Sequence, residues 1–121
     1  MDASAVDLSP PPLYLTLLEG RALLEFGWYA AVAGALRARA DGAGEGRPVL
    51  VLPGFGTSDG STKVLRGFLR DHGFQTHGWR LGRNRGPSSR IRRGLAARLG
   101  EIFERHGAPV SLVGWSLGGV F

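Results

Sequence analysis

PVLVLPGFGTSDG, residues 48–60, decides the fold. Five apolar, mostly β-branched or Leu residues run without polar alternation, the pattern of a strand covered on both faces. A glycine-rich loop follows at once. Downstream, Val64, Leu65, Phe68 and Leu69 mark one side of a helix of about a dozen residues that stops at Gly73. FQTHGW (74–79) is a weaker strand, expected nearer an edge, and RLGRNRGP (80–87) is a loop. Ser88 or Ser89 can cap the next helix, on which Ile91, Leu95, Leu99, Ile102 and Phe103 recur at helical spacing until Gly107. PVSLV (109–113) is then a second buried strand. Alternating strands and helices imply parallel strands joined by right-handed crossovers, hence an α/β class. The weaker strand is expected outside the first, giving the order two, one, three. The chain reverses direction across the sheet between strands one and three, where ligands of such sheets bind at the carboxyl ends.

Toward the N-terminus the pattern changes. DGAGEGR (41–47) reads as a glycine-rich linker, and residues 13–40 read as one apolar helix rich in Leu and Ala, with Gly20, Gly27 and Gly34 every seven residues. Residues 1–12 read as a flexible leader ending in three prolines. The expected organisation is therefore a leader (1–12), a helix with linker (13–47) and an α/β body (48–121). Asp2 and Asp7 replace the positive region of a secretory signal. The longest uncharged stretch of the helix, Phe26 to Leu36, falls short of the ~20 residues of a membrane span. The expectation is a cytoplasmic chain, with weak contact to a membrane surface through 13–40 left open.

The 121 residues carry 15 Lys+Arg against 10 Asp+Glu, a net charge of +5, with 43% hydrophobic residues and no Cys. This balance excludes a disordered chain and a disulfide scaffold, and three histidines without cysteine argue against a structural zinc site. No metal or cofactor is expected. Seven arginines (80, 83, 85, 90, 92, 93 and 98) share one acid-free stretch, but no aromatic lies between Trp79 and Phe103 to stack bases. A solvated face is the preferred reading, and no nucleic-acid partner is expected.

Gly114-Trp115-Ser116-Leu117-Gly118-Gly119 follows the last strand directly and fits the pattern G-x-S-x-G. A serine on a sharp strand-to-helix turn presses the residues two before and two after it against neighbouring backbone, so both must be small. The turn lifts the hydroxyl clear of the sheet and beside free amide N–H groups, which favour developing negative charge. Composition alone yields roughly 0.2 such matches, so the weight rests on its position after a strand and beside a glycine loop.

Residues 48–121 resemble the N-terminal part of an α/β-hydrolase, most similar to bacterial lipases and esterases, through VLVLPGFGTSDGST, HGWRLGRNRGP and VSLVGWSLGGVF. The resemblance implies that Ser116 is the nucleophile attacking a small ester or lipid-like substrate through an acyl-serine intermediate. It implies an oxyanion hole made by the backbone N–H groups of Phe55 and Leu117, with Gly114 and Gly118 as the elbow glycines. Such loops often read His-Gly where this chain has Pro53-Gly54.

A serine nucleophile needs a base and an acid to orient it, and in α/β-hydrolases both follow it in the chain. Five residues follow Ser116, none of them His, Asp or Glu. His72 and His106 are expected at helix C-terminal ends, at the far edge of the sheet, and His77 within the weaker strand. The chain is thus expected to be a fragment or truncated product of a hydrolase, inactive by itself. A non-catalytic binding module is the alternative. A nucleotide-binding domain fits less well, because the loop misses both the G-x-x-x-x-G-K-[ST] and G-x-G-x-x-G spacings by one or more residues.

Overall fold

The computed structural model describes residues 12–38 and 42–121. Two compact units divide the chain, one ending at Leu36 and the other running from Arg37 to Phe121. The expected leader lies, except for Pro12, outside the described residues. In the first unit the single helix expected over 13–40 is instead two, α1 (Leu13–Glu19) and α2 (Arg21–Ala38). They part at Gly20, whose N–H bonds the Leu17 carbonyl three residues back at 3.1 Å. Glycine is a weak helix former, and this tightened turn is where α1 yields. Among the described residues, no helix is long and apolar enough to cross a membrane.

The second unit is a three-stranded parallel sheet with helical crossovers, of α/β class. Its strands are β1 (Pro48–Leu52), β2 (Gln75–Gly78) and β3 (Ser111–Gly114), in the expected order β2-β1-β3. Leu50 stands opposite His77 on one side and Leu112 on the other, and Leu52 pairs with Gly114. All five residues of β1 are buried, as its unbroken apolar run requires. α3 (Lys63–Asp71) joins β1 to β2, and α4 (Ser89–His106) joins β2 to β3. Ser88 caps α4 by accepting the Ile91 N–H at 3.1 Å, and Gly107 ends it in the left-handed conformation at φ 60°.

The core gathers Leu50, Leu52, Trp79, Ile91 and Ile102, with Leu81, Leu95, Leu99, Val110 and Phe121 packed against it. Phe103 departs from its expected place on the apolar face and is 53% exposed. At 100° per residue it stands about 120° around the helix from Ile91, past the buried stripe. β3 also departs from the sequence reading. It begins at Ser111 rather than Pro109 and is mostly exposed, because only β1 flanks it. The glycine-rich segment 42–47 forms a turn against the 72–74 chain, with Gly44 N–H donating to His72 O and Gly46 N–H to Gly73 O, each at 2.8 Å. A Cβ on Gly44 would lie 2.4 Å from Gly73 C and Phe74 N, so only glycine fits there.

Candidate functional site

β3 delivers the chain to Trp115, and a short 3-10 helix (Ser116–Val120) begins at the next residue. Ser116 has φ 53°, one of three non-glycine residues with positive φ among those described, and it is exposed. A left-handed conformation at a residue with a Cβ costs about 1–2 kcal/mol, and such strain clusters at functional sites. Its surroundings hold it there. Trp115 N–H donates to Leu52 O at 3.0 Å, and Gly118 N–H returns to Trp115 O at 2.9 Å. A Cβ on Gly114 would lie 2.4 Å from both Gly119 Cα and N, and a Cβ on Gly118 would lie 2.5 Å from Leu52 O. The turn therefore closes only with hydrogen at both positions.

The loop after β1 comes up beside the serine. A Cβ on Gly54 would lie 3.2 Å from Trp115 Cδ1 and 3.5 Å from Ser116 Cβ. Phe55 follows, exposed, and Thr57 closes the turn on Gly54 O with its N–H (3.2 Å) and its hydroxyl (2.8 Å). Among the described residues, no hydrogen bond takes up the amide N–H of Phe55 or of Leu117.

This loop is braced by the segment that follows β2, chiefly through Asn84 and Asp59, which sequence reasoning did not single out. Asn84 is fully buried; its Nδ2 donates to Pro53 O at 2.8 Å and its Oδ1 accepts from Gly86 N–H at 2.9 Å. Its backbone receives Gly56 N–H at 2.6 Å and donates to Thr57 O at 2.8 Å. Arg83 Nη1 adds a bond to Gly56 O at 2.6 Å. Asp59 accepts the N–H groups of Trp79 (2.9 Å) and Arg80 (3.0 Å), tying the far end of the loop to the chain leaving β2. One asparagine in an arginine-rich loop carries no spacing signal, so only the fold exposes this brace.

The three histidines are engaged elsewhere. His72 Nδ1 meets Phe68 O at 2.9 Å. His77 Nε2 lies 2.9 Å from His106 Nε2, the rings meeting edge to face. Burial first, then the charges of His106, Arg98, Arg105 and Arg80, hold His77 below the usual imidazole value. β1 lies between β2 and β3, so His77 stands two strands, about 10 Å, from the strand that carries Ser116. Trp115, adjacent to the serine, is exposed. Among the described residues, no group of three or more His, Cys, Asp or Glu is placed to hold a metal ion. No family model, curated relative or solved structure matches this chain.

Proposed function

We propose that Ser116 is the nucleophile of an esterase-like α/β-hydrolase acting on carboxylic esters. The observation that carries this reading is the positive φ of an exposed serine between two glycines whose hydrogens face backbone. Ser116 Oγ attacks the ester carbonyl while a base takes its proton. The carbonyl oxygen, now an anion, accepts hydrogen bonds from the N–H groups of Phe55 and Leu117, each such donor being worth about 3 kcal/mol in the transition state. The tetrahedral intermediate expels the alcohol, and water then cleaves the acyl-serine. The absence of hydrogen-bond partners for these two amides among the described residues, and the approach of Gly54 to Ser116, support this assignment.

No imidazole stands at Ser116, so among the described residues the proposed nucleophile and oxyanion donors have no histidine base beside them. The unaided chain is expected to hydrolyse p-nitrophenyl butyrate no faster than Ser116→Ala. Imidazole in solution supplies the missing base, and with it a butyryl group should accumulate on Ser116, located by peptide mass mapping and lost in Ser116→Ala. Acylation spread over Lys63 and the N-terminal amine, with none at Ser116, would refute the assignment.

A further inference from the structure

Apart from the bond that Arg83 gives to Gly56 O, the side chains of the arginines of residues 80–98 have no part in that reading. From His72 to Gly100 the sequence contains no carboxylate. Arg98 is ion-paired to Glu101 at 2.7 Å, and Arg83 gives one N–H to Gly56 O. Arg85 and Arg90 make no ion pair or side-chain hydrogen bond with another described residue. Arg83, Arg85 and Arg90, all exposed, line a solvent-open surface pocket of about 610 Å³ at the start of α4. Leu81, Pro87 and Ile91 contribute apolar wall. This volume suits a small organic ligand.

Two features separate this cavity from a solvated basic face. The first is rigidity. Buried Asn84 holds Gly86 N–H and Pro53 O, and Trp79 Nε1 donates to Gly82 O at 2.9 Å. The segment carrying Arg83 and Arg85 is therefore fixed before any ligand arrives, which lowers the ordering cost of binding. The second is uncompensated charge. Three arginines line one pocket, with no carboxylate between His72 and Gly100 to offset their like charges. Arg90 also sits in the first turn of α4, where the helix dipole disfavours a cation and no acidic residue answers it. A doubly charged oxyanion relieves all of these terms at once, and the planar guanidinium fork suits its oxygens.

We propose that this cavity binds a phosphomonoester, its phosphate among Arg83, Arg85 and Arg90 and its organic part against Leu81, Pro87 and Ile91. The site does not depend on the reading of Ser116. The same chemistry is offered by a soluble phosphate ester and by a phosphatidate headgroup.

Phenyl phosphate titrated into the full chain by calorimetry at low salt is the test. Saturable one-to-one binding is expected, with affinity falling about tenfold in Arg85→Gln and in Arg90→Gln, each losing a charge-assisted contact. Neither side chain has a hydrogen-bond or ion-pair partner among the described residues, and circular dichroism checks that each variant is folded. Arg92→Gln and Arg93→Gln, on the same helix but outside the cavity lining, should bind within about threefold of the parent because only diffuse charge is removed. Absence of saturable binding, benzoate binding as tightly as phenyl phosphate, or an equal loss in all four variants would overturn the proposal. Sedimentation with vesicles of phosphatidate in phosphatidylcholine, but not of phosphatidylcholine alone, and its competition by phenyl phosphate would assign the source as a headgroup. Phenyl phosphate binding without such sedimentation would assign it as a soluble ester.

Discussion

Replacing Gly118 by alanine tests the turn around Ser116 at its tightest point. The added methyl would lie 2.5 Å from Leu52 O, 2.8 Å from Pro53 O and 3.0 Å from Leu52 C, all backbone atoms that no rotamer change can move aside. Reaching ordinary contact at 3.4 Å requires a shift of about 0.9 Å between the turn and the end of β1. The Leu52 carbonyl that must retreat is also the acceptor of Trp115 N–H at 3.0 Å. Overpacking of this kind costs about 1–3 kcal/mol, and the stretched hydrogen bond adds about 1 kcal/mol, so a loss of roughly 2–4 kcal/mol is expected. Gly119→Ala is the matched control. Its nearest atom would be Gly114 O at 3.7 Å, so its effect should stay within about 0.5 kcal/mol. Urea denaturation followed by far-ultraviolet circular dichroism reads both. Equal midpoints for the two variants would refute the close approach of the turn to β1.

Further outcomes follow from the same geometry. Ser116→Gly should raise stability by about 0.5–1 kcal/mol, because glycine accepts φ 53° without strain, whereas Ser116→Val should lower it; a denaturant series reads both signs. Asn84→Ala should cost about 2–4 kcal/mol, leaving Pro53 O and Gly86 N–H without their partner, and hydrogen exchange should quicken first at Gly56 and Thr57. His77 is held below the free imidazole value of about 6.5, so the unfolded chain binds the extra proton first and stability falls as pH drops through and below that value. It is fully present above it. Denaturation midpoints between pH 5 and pH 8 should show this slope, and His77→Gln should flatten it.

The sheet was legible because its signals are local and strong. PVLVL admits little besides a doubly covered strand, and Ser88 and Gly107 bracket α4 as cap and stop. Where the reading slipped, the cause was tertiary. Phe103 belongs to the apolar repeat in sequence but turns past the buried stripe, and β3 is apolar yet exposed for want of a second neighbour. Gly20 looked like one of three spaced small residues and instead marks a break between α1 and α2. At the candidate site, the glycines around Ser116 announce a tight turn because their spacing reflects a steric need. The brace through Asn84 and Asp59 gave no such notice, since its partners are backbone groups 20 to 31 residues away. The His77–His106 pair was equally hidden, spanning 29 residues between β2 and α4.

In the proposed mechanism the oxyanion of a tetrahedral adduct on Ser116 Oγ, and not Oγ itself, meets the amide hydrogens of Phe55 and Leu117. Proton–nitrogen correlation spectra recorded while butylboronic acid is added test it without requiring turnover, because boronate addition to the hydroxyl creates a tetrahedral anion in place. The amide protons of Phe55 and Leu117 should move downfield together, and neither should move in Ser116→Ala. Shifts confined to other amides, or identical spectra for parent and variant, would contradict it.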